Sequence, residues 1–193
     1  MSGGRLLGVI LCGGKSLRMG QDKAELTLPD GTRFIDHAIE RAERVADEVC
    51  LVGTDRYHTK RRIFEDSLPR RGPVIGVVTA LEVAQREAFD ACLVTPVDMP
   101  MMTADDLHRL KQAWQREPQL PVCAVNQQDR RRQPLAAIYP VVLHAELRQV
   151  AESEHRSLMR WLRHHEHRQV ILPAKSCCNI NTPDDLHHSS EIP

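Results

Sequence analysis

The chain of 193 residues has no excess charge: lysine and arginine together number 26, as do aspartate and glutamate. Without an overall field to draw it to nucleic acid or a membrane surface, any anion site must be built locally. Aromatic residues make up 4% of the chain, and none is interleaved with the densest arginine run, Arg130-Arg131-Arg132. Stacking platforms are thus missing where the cations are closest together, and nucleic acid is not an expected partner. Long apolar runs are missing as well. No stretch nears the roughly 18 residues of a membrane span. The first apolar run, residues 6–11, is short and stops at a glycine pair, unlike a signal peptide. The expectation is a cytoplasmic protein without a membrane partner.

Paired-cysteine motifs are absent too. Cys12, Cys50, Cys92, Cys123, Cys177 and Cys178 form no CxxC, and the first four sit in or beside apolar, strand-like runs. Buried free thiols are expected, rather than zinc ligands or disulfides. His164, His165 and His167 are close in sequence, but neighbours on a helix do not share a face, so a solvated helix end is expected there. Two familiar phosphate loops are also lacking. A Walker A loop needs glycine where the chain has Val9, and GxGxxG fails because Gly13 and Gly14 are adjacent.

What is present begins with the strand-like run Leu6-Leu7-Gly8-Val9-Ile10-Leu11, which enters Cys12-Gly13-Gly14. Adjacent glycines let the backbone turn sharply and expose its N–H groups. Lys15, Arg18 and Lys23 follow within ten positions. Amide donors with cations beside them are what a polyphosphate needs. A second signal lies at mid-chain, where Ala91-Cys92-Leu93-Val94-Thr95 runs into Pro96-Val97-Asp98-Met99-Pro100. The two prolines hold Asp98 on a short tether past the end of a buried strand, where open α/β sheets bind their ligands.

Apolar runs alternate with amphipathic stretches along the rest of the chain, which predicts one α/β domain with a mostly parallel sheet and helices on both faces. Ala24 to Leu28 reads as extended, and Pro29-Asp30-Gly31 as a turn. Phe34, Ile35, Ala38, Ile39, Ala42 and Val45 recur at helical spacing. Strands are expected at Val49-Cys50-Leu51-Val52 and Ile63-Phe64, and a helix opens at Gly72-Pro73-Val74-Ile75-Gly76. Thr103 caps a helix carrying Leu107, Leu110 and Trp114, with Trp114 in the core. A strand over residues 120–125, helices from Val142 and from Ser157, and a strand at Val170-Ile171-Leu172 follow. Thr182 and Pro183 start a final short helix.

At the glycine turn, residues 11–23 resemble the signature LxGGxSxRMGxDK of the molybdenum-cofactor guanylyltransferases. Glu65-Asp66-Ser67, Gly72-Pro73-Val74-Ile75-Gly76, Gln133-Pro134-Leu135 and Asn179-Ile180-Asn181-Thr182-Pro183 resemble later motifs of that family in the same order. The resemblance implies a three-layer α/β/α, Rossmann-like nucleotidyltransferase. Residues up to about 100 would serve the nucleotide, and those from about 101 to 186 the acceptor. The implied substrates are GTP and molybdopterin, with Mg²⁺ held by Asp98. It further implies that Leu11, Cys12, Gly13 and Gly14 lie on the nucleotide through their amides, with Arg18 on the β- and γ-phosphates and Lys23 on the α-phosphate. Asp66 would lie near the base or ribose and Asn181 near the metal, while Arg130-Arg131-Arg132 would meet the pterin phosphate. Molybdoenzymes or cofactor chaperones are the implied protein partners.

Relatives that use CTP tend to carry Ala-Ala-Gly where this chain has Cys12-Gly13-Gly14, which favours GTP. One departure stands out: Gly53 occupies the place of an asparagine that commonly helps hold the nucleotide. Two other readings stay open. One is a nucleotidyltransferase using CTP or a sugar-phosphate acceptor. The other is a non-catalytic protein that binds nucleotide or delivers cofactor.

Overall fold

The computed structural model describes residues 4–12, 23–53, 57–66, 72–180 and 185. Its seven strands, β1 (Leu6–Cys12), β2 (Glu48–Gly53), β3 (Ile63–Phe64), β4 (Ala91–Pro96), β5 (Val122–Asn126), β6 (Arg132–Pro140) and β7 (Arg168–Leu172), form one sheet in the order β3-β2-β1-β4-β6-β5-β7. Every pairing is parallel except those of β6, which runs antiparallel to β4 and β5. The helices are α1 (Phe34–Glu43), α2 (Pro73–Arg86), α3 (Ala104–Arg116), α4 (His144–Glu152) and α5 (Leu158–His164). This is the α/β architecture that the alternation of apolar runs predicts.

The apolar content of β1 follows from its place. It lies between β2 and β4, and side chains alternate across the sheet. Leu7 and Val9 pack with α2, α4 and α5. Leu6 joins the cluster containing Leu107, Leu110 and Trp114 of α3, while Ile10 and Cys12 join Ile35, Ala38 and Ala42 of α1. The helices thus form two layers, one on each face. From β1 the chain builds outward to β2 and β3, then crosses back to place β4 on the other side of β1. The gap between the C-terminal ends of β1 and β4 is therefore the switch point where such sheets take ligands.

Three local features differ from expectation. Residues 23–25 form a 3-10 turn, closed by the Leu26 amide donating to the Lys23 carbonyl at 3.2 Å. Only a single bridge, Thr27 with Arg33, remains of the expected extended stretch, because the turn at residues 29–31 folds the chain straight back. A 3-10 turn, Val141–Leu143, precedes α4, which starts at His144. Residues 132–140, left without an assignment by the sequence pattern, form the longest strand of the sheet. The predicted helix start at Thr182 and Pro183 lies outside the described residues.

All six cysteines are free and five are buried. Burial pushes the thiols of Cys50 and Cys123 up to about 12 and that of Cys177 to about 11, so they stay protonated as small apolar side chains.

Helix α3, which follows the Asp98 segment, starts with a reciprocal cap. The Thr103 hydroxyl oxygen accepts from the Asp106 amide at 3.2 Å, and the Asp106 carboxylate accepts from the Thr103 amide at 3.0 Å. Thr103→Ala removes half of that box and is expected to cost about 1 kcal/mol. Urea unfolding checks this: the midpoint should fall while the slope stays that of wild type.

Candidate active site

Lys23 and Asp98, 75 residues apart in sequence, meet at the switch point. The Lys23 ammonium donates to the Asp98 Oδ2 at 3.1 Å, and both side chains are about a quarter exposed. Such a partly solvated pair contributes at most about 1 kcal/mol. Either partner can therefore give up the other for a more highly charged ligand at little cost to the fold. The Asp98 carbonyl accepts from the Ile180 amide at 2.8 Å, so the C-terminal segment also reaches this turn.

The neighbouring strand ends complete the edge. Leu11 is in register with Pro96 on one side, and Cys12 with Gly53 on the other. Gly53 closes β2 at φ 138°, a backbone conformation that side-chain-bearing residues rarely adopt. Helix α2 begins hard against β1. A Cβ on Gly76 would sit 3.0 Å from Leu11 Cδ2 and 3.8 Å from Asp66 Oδ1, which brings Leu11, Asp66 and the first turn of α2 together.

Of the residues singled out in the sequence, the fold thus joins Lys23 to Asp98, Leu11 to Asp66 through Gly76, and Cys12 to Gly53. Gly13, Gly14, Arg18 and Asn181 lie outside the described residues, as do Lys15 and Ser67. The acceptor-side arginines fall at the start of β6, where Arg132 Nε donates to His167 Nε2 at 3.1 Å. His165 is no simple solvated helix end either. Its ring stacks on Trp161 at 4.4 Å between centroids, and its Nδ1 lies 2.8 Å from the Trp161 carbonyl.

A match to the family of MobA-like NTP transferase domains covers residues 8–170. The chain belongs to this family. A relative from Rhodopirellula baltica, named as a probable molybdenum cofactor guanylyltransferase, is 41% identical over 94% of this chain and 90% of its own length. A molybdenum cofactor guanylyltransferase from Rhizobium johnstonii is 31% identical over the same shares. Among solved structures, the molybdopterin-guanine dinucleotide biosynthesis protein A from Archaeoglobus fulgidus superposes with a TM-score of 0.71, at 24% identity, over 96% of this chain and 97% of that one. A 4-diphosphocytidyl-2C-methyl-D-erythritol synthase from Anaerococcus prevotii gives a TM-score of 0.68 at 13% identity, over 98% and 96%. These two structural likenesses are likenesses of fold.

Among the described residues of this MobA-like domain, Asp98 offers a carboxylate at the switch point that could hold a cation. Among the described residues no three His, Cys, Asp or Glu side chains gather to cage an ion. That donor set suits Mg²⁺, which takes one or two protein carboxylates and fills its remaining positions with phosphate oxygens and water. Asp98 is the carboxylate at the switch point, and it already holds a cation in the form of Lys23.

One buried charged side chain was not singled out in the sequence. Arg41 lies on the apolar face of α1, seven residues after Phe34, and is 3% exposed. A charged residue at a core-facing helical position is the signal that would have marked it.

Asp66 is half-buried, and burial alone raises its carboxyl above the ordinary value of 3.8. The folded chain therefore disfavours the ionised form, at a cost felt above the unfolded-state value and absent at lower pH, where both states are protonated. Asp66→Asn is expected to melt at or above wild type near pH 7, with the difference closing as the pH falls below about 4. Thermal melts of both proteins across that range check the sign.

Proposed function

We propose that this chain transfers GMP from GTP to the terminal phosphate of molybdenum-bound molybdopterin, releasing pyrophosphate and forming the molybdopterin guanine dinucleotide cofactor. The reading rests on the Lys23–Asp98 pair at the switch point of a MobA-like domain. The guanylyltransferase names of relatives that align along almost the whole chain support it.

Nucleotidyl transfer is an in-line displacement at the α-phosphorus. A terminal phosphate oxygen of molybdopterin forms the new P–O bond as the bond to the pyrophosphate oxygen breaks. That oxygen is ionised near neutral pH, so no side chain need take a proton. The protein's task is alignment and neutralisation of the charge growing on the leaving group. Asp98 would hold Mg²⁺, which supplies positive charge against the phosphate oxygens. Lys23 exchanges its weak bond to Asp98 for the α-phosphate, and Arg18 serves the β- and γ-phosphates. The amides of Leu11, Cys12, Gly13 and Gly14 carry the nucleotide. Asp66 faces the base or ribose, Gly53 borders the nucleotide, and Asn181 stands by the metal.

The half of the chain up to about residue 100 binds GTP, and the half from about 101 to 186 binds the acceptor. Arg130, Arg131 and Arg132 meet the pterin phosphate. The reaction takes place in the cytoplasm, with molybdoenzymes or cofactor chaperones as recipients. No helix among the described residues is long and apolar enough to cross a membrane.

Incubation with GTP, CTP or ATP, each with and without molybdopterin, tests the reading through pyrophosphate release. Release is expected only with GTP, Mg²⁺ and molybdopterin together. Release with CTP, or with a sugar phosphate in place of molybdopterin, would assign a different nucleotidyltransferase. Tight GTP binding without turnover would assign a carrier. Asp98→Ala and Lys23→Ala should each lower kcat by on the order of 10²–10³, with circular dichroism and melting temperature close to wild type because the pair is weak. Near-wild-type turnover in both variants would remove this site from the reaction.

A further inference from the structure

The turn that carries Asp98 is clamped from beneath by a single buried side chain. Arg41 Nη2 donates to the Thr95 hydroxyl at 3.0 Å and to the Pro96 carbonyl at 2.6 Å. Its Nη1 donates to the Met99 carbonyl at 2.5 Å and the Met102 carbonyl at 3.3 Å. Two acceptors thus precede Asp98 and two follow it, with only Val97 and Asp98 between the inner pair. The planar guanidinium presents its donors in a fixed fork, so it sets the spacing between the two ends of the turn, which a flexible ammonium does not.

We infer that Arg41 is a positioning residue for Asp98, fixing the turn in the shape that offers the carboxylate to a nucleotide-bound divalent cation. The inference rests on the proposal that Asp98 holds that cation. An arginine on the apolar face of a helix costs desolvation, and burial lowers its pKa to about 10 while Asp98 and Asp106 pull it back up. Arg41 still carries its charge at neutral pH, on the core side of the turn whose outer side carries Lys23. Groups behind a metal ligand commonly set the affinity of the site without touching the ion, and removing one costs about 10–100-fold.

Titration of the full chain with GTP, in EDTA and in Mg²⁺, separates this role from general stability. The wild type is compared with Asp98→Asn, Arg41→Lys and Thr95→Val. The lysine keeps the charge but loses the fork, and the valine keeps the shape but loses one acceptor. Both substitutions should leave GTP affinity in EDTA within about twofold of wild type. Arg41→Lys should lose on the order of 10-fold of the tightening that Mg²⁺ brings. Thr95→Val should move the same way by less, and Asp98→Asn should lose the tightening entirely. If Arg41→Lys does not fold, as judged by its melt, Thr95→Val decides alone. Loss of the Mg²⁺ effect in Asp98→Asn, with wild-type tightening in the folded Arg41 and Thr95 variants, would overturn the role of Arg41. Full tightening in Asp98→Asn would overturn the metal reading at Asp98, and the inference with it.

Discussion

The site depends on a strand whose side chains carry no chemistry of their own. β1 is paired in parallel on both edges and covered on both faces, so its side chains answer to packing. Polar function is thereby pushed to the loops at its C-terminal end. The crossover that puts β4 beside β1 decides which loops meet there. Lys23 and Asp98 come together because their strands are neighbours, and no local preference of either segment would bring them together.

Around that point the protein combines weak and strong holding. The Lys23–Asp98 pair is about a quarter exposed to water and readily exchanged. The backbone beneath it is fixed by a buried guanidinium with four acceptors and by the Ile180 amide on the Asp98 carbonyl. Each buried carbonyl stripped of its donor would cost about 1–3 kcal/mol. The peptide frame of the turn is therefore far stiffer than the contact its side chain makes. Such a division suits a ligand that must keep its place while its partners change.

Much of this was legible in the sequence because it is local. The residue 6–11 run, the proline brackets around Asp98 and the Thr103 cap are each written within a dozen positions and need no distant partner to be understood. Trp114 on the stripe of α3 likewise sits in the core as its spacing predicts. β6 was illegible because its evidence is long-range. Pro134 argues against a strand, and the strand tolerates it through a register shift against β5 between Cys123 and Ala124. The Tyr139 hydroxyl donates to the Pro134 carbonyl there, at 2.7 Å. Arg41 was hidden for the same reason, since its acceptors lie 54 to 61 residues further along. The helix alone shows that Arg41 faces the core, but not what it holds there.

The bond from Ile180 to the Asp98 carbonyl also carries a temporal meaning. A chain leaving the ribosome presents Lys23 and Asp98 long before residue 180 emerges. The donor that finishes this turn comes 82 residues after Asp98 in the chain. Translation must pass residue 180 before that peptide carbonyl meets its donor, so a product halted short of it keeps an incomplete turn.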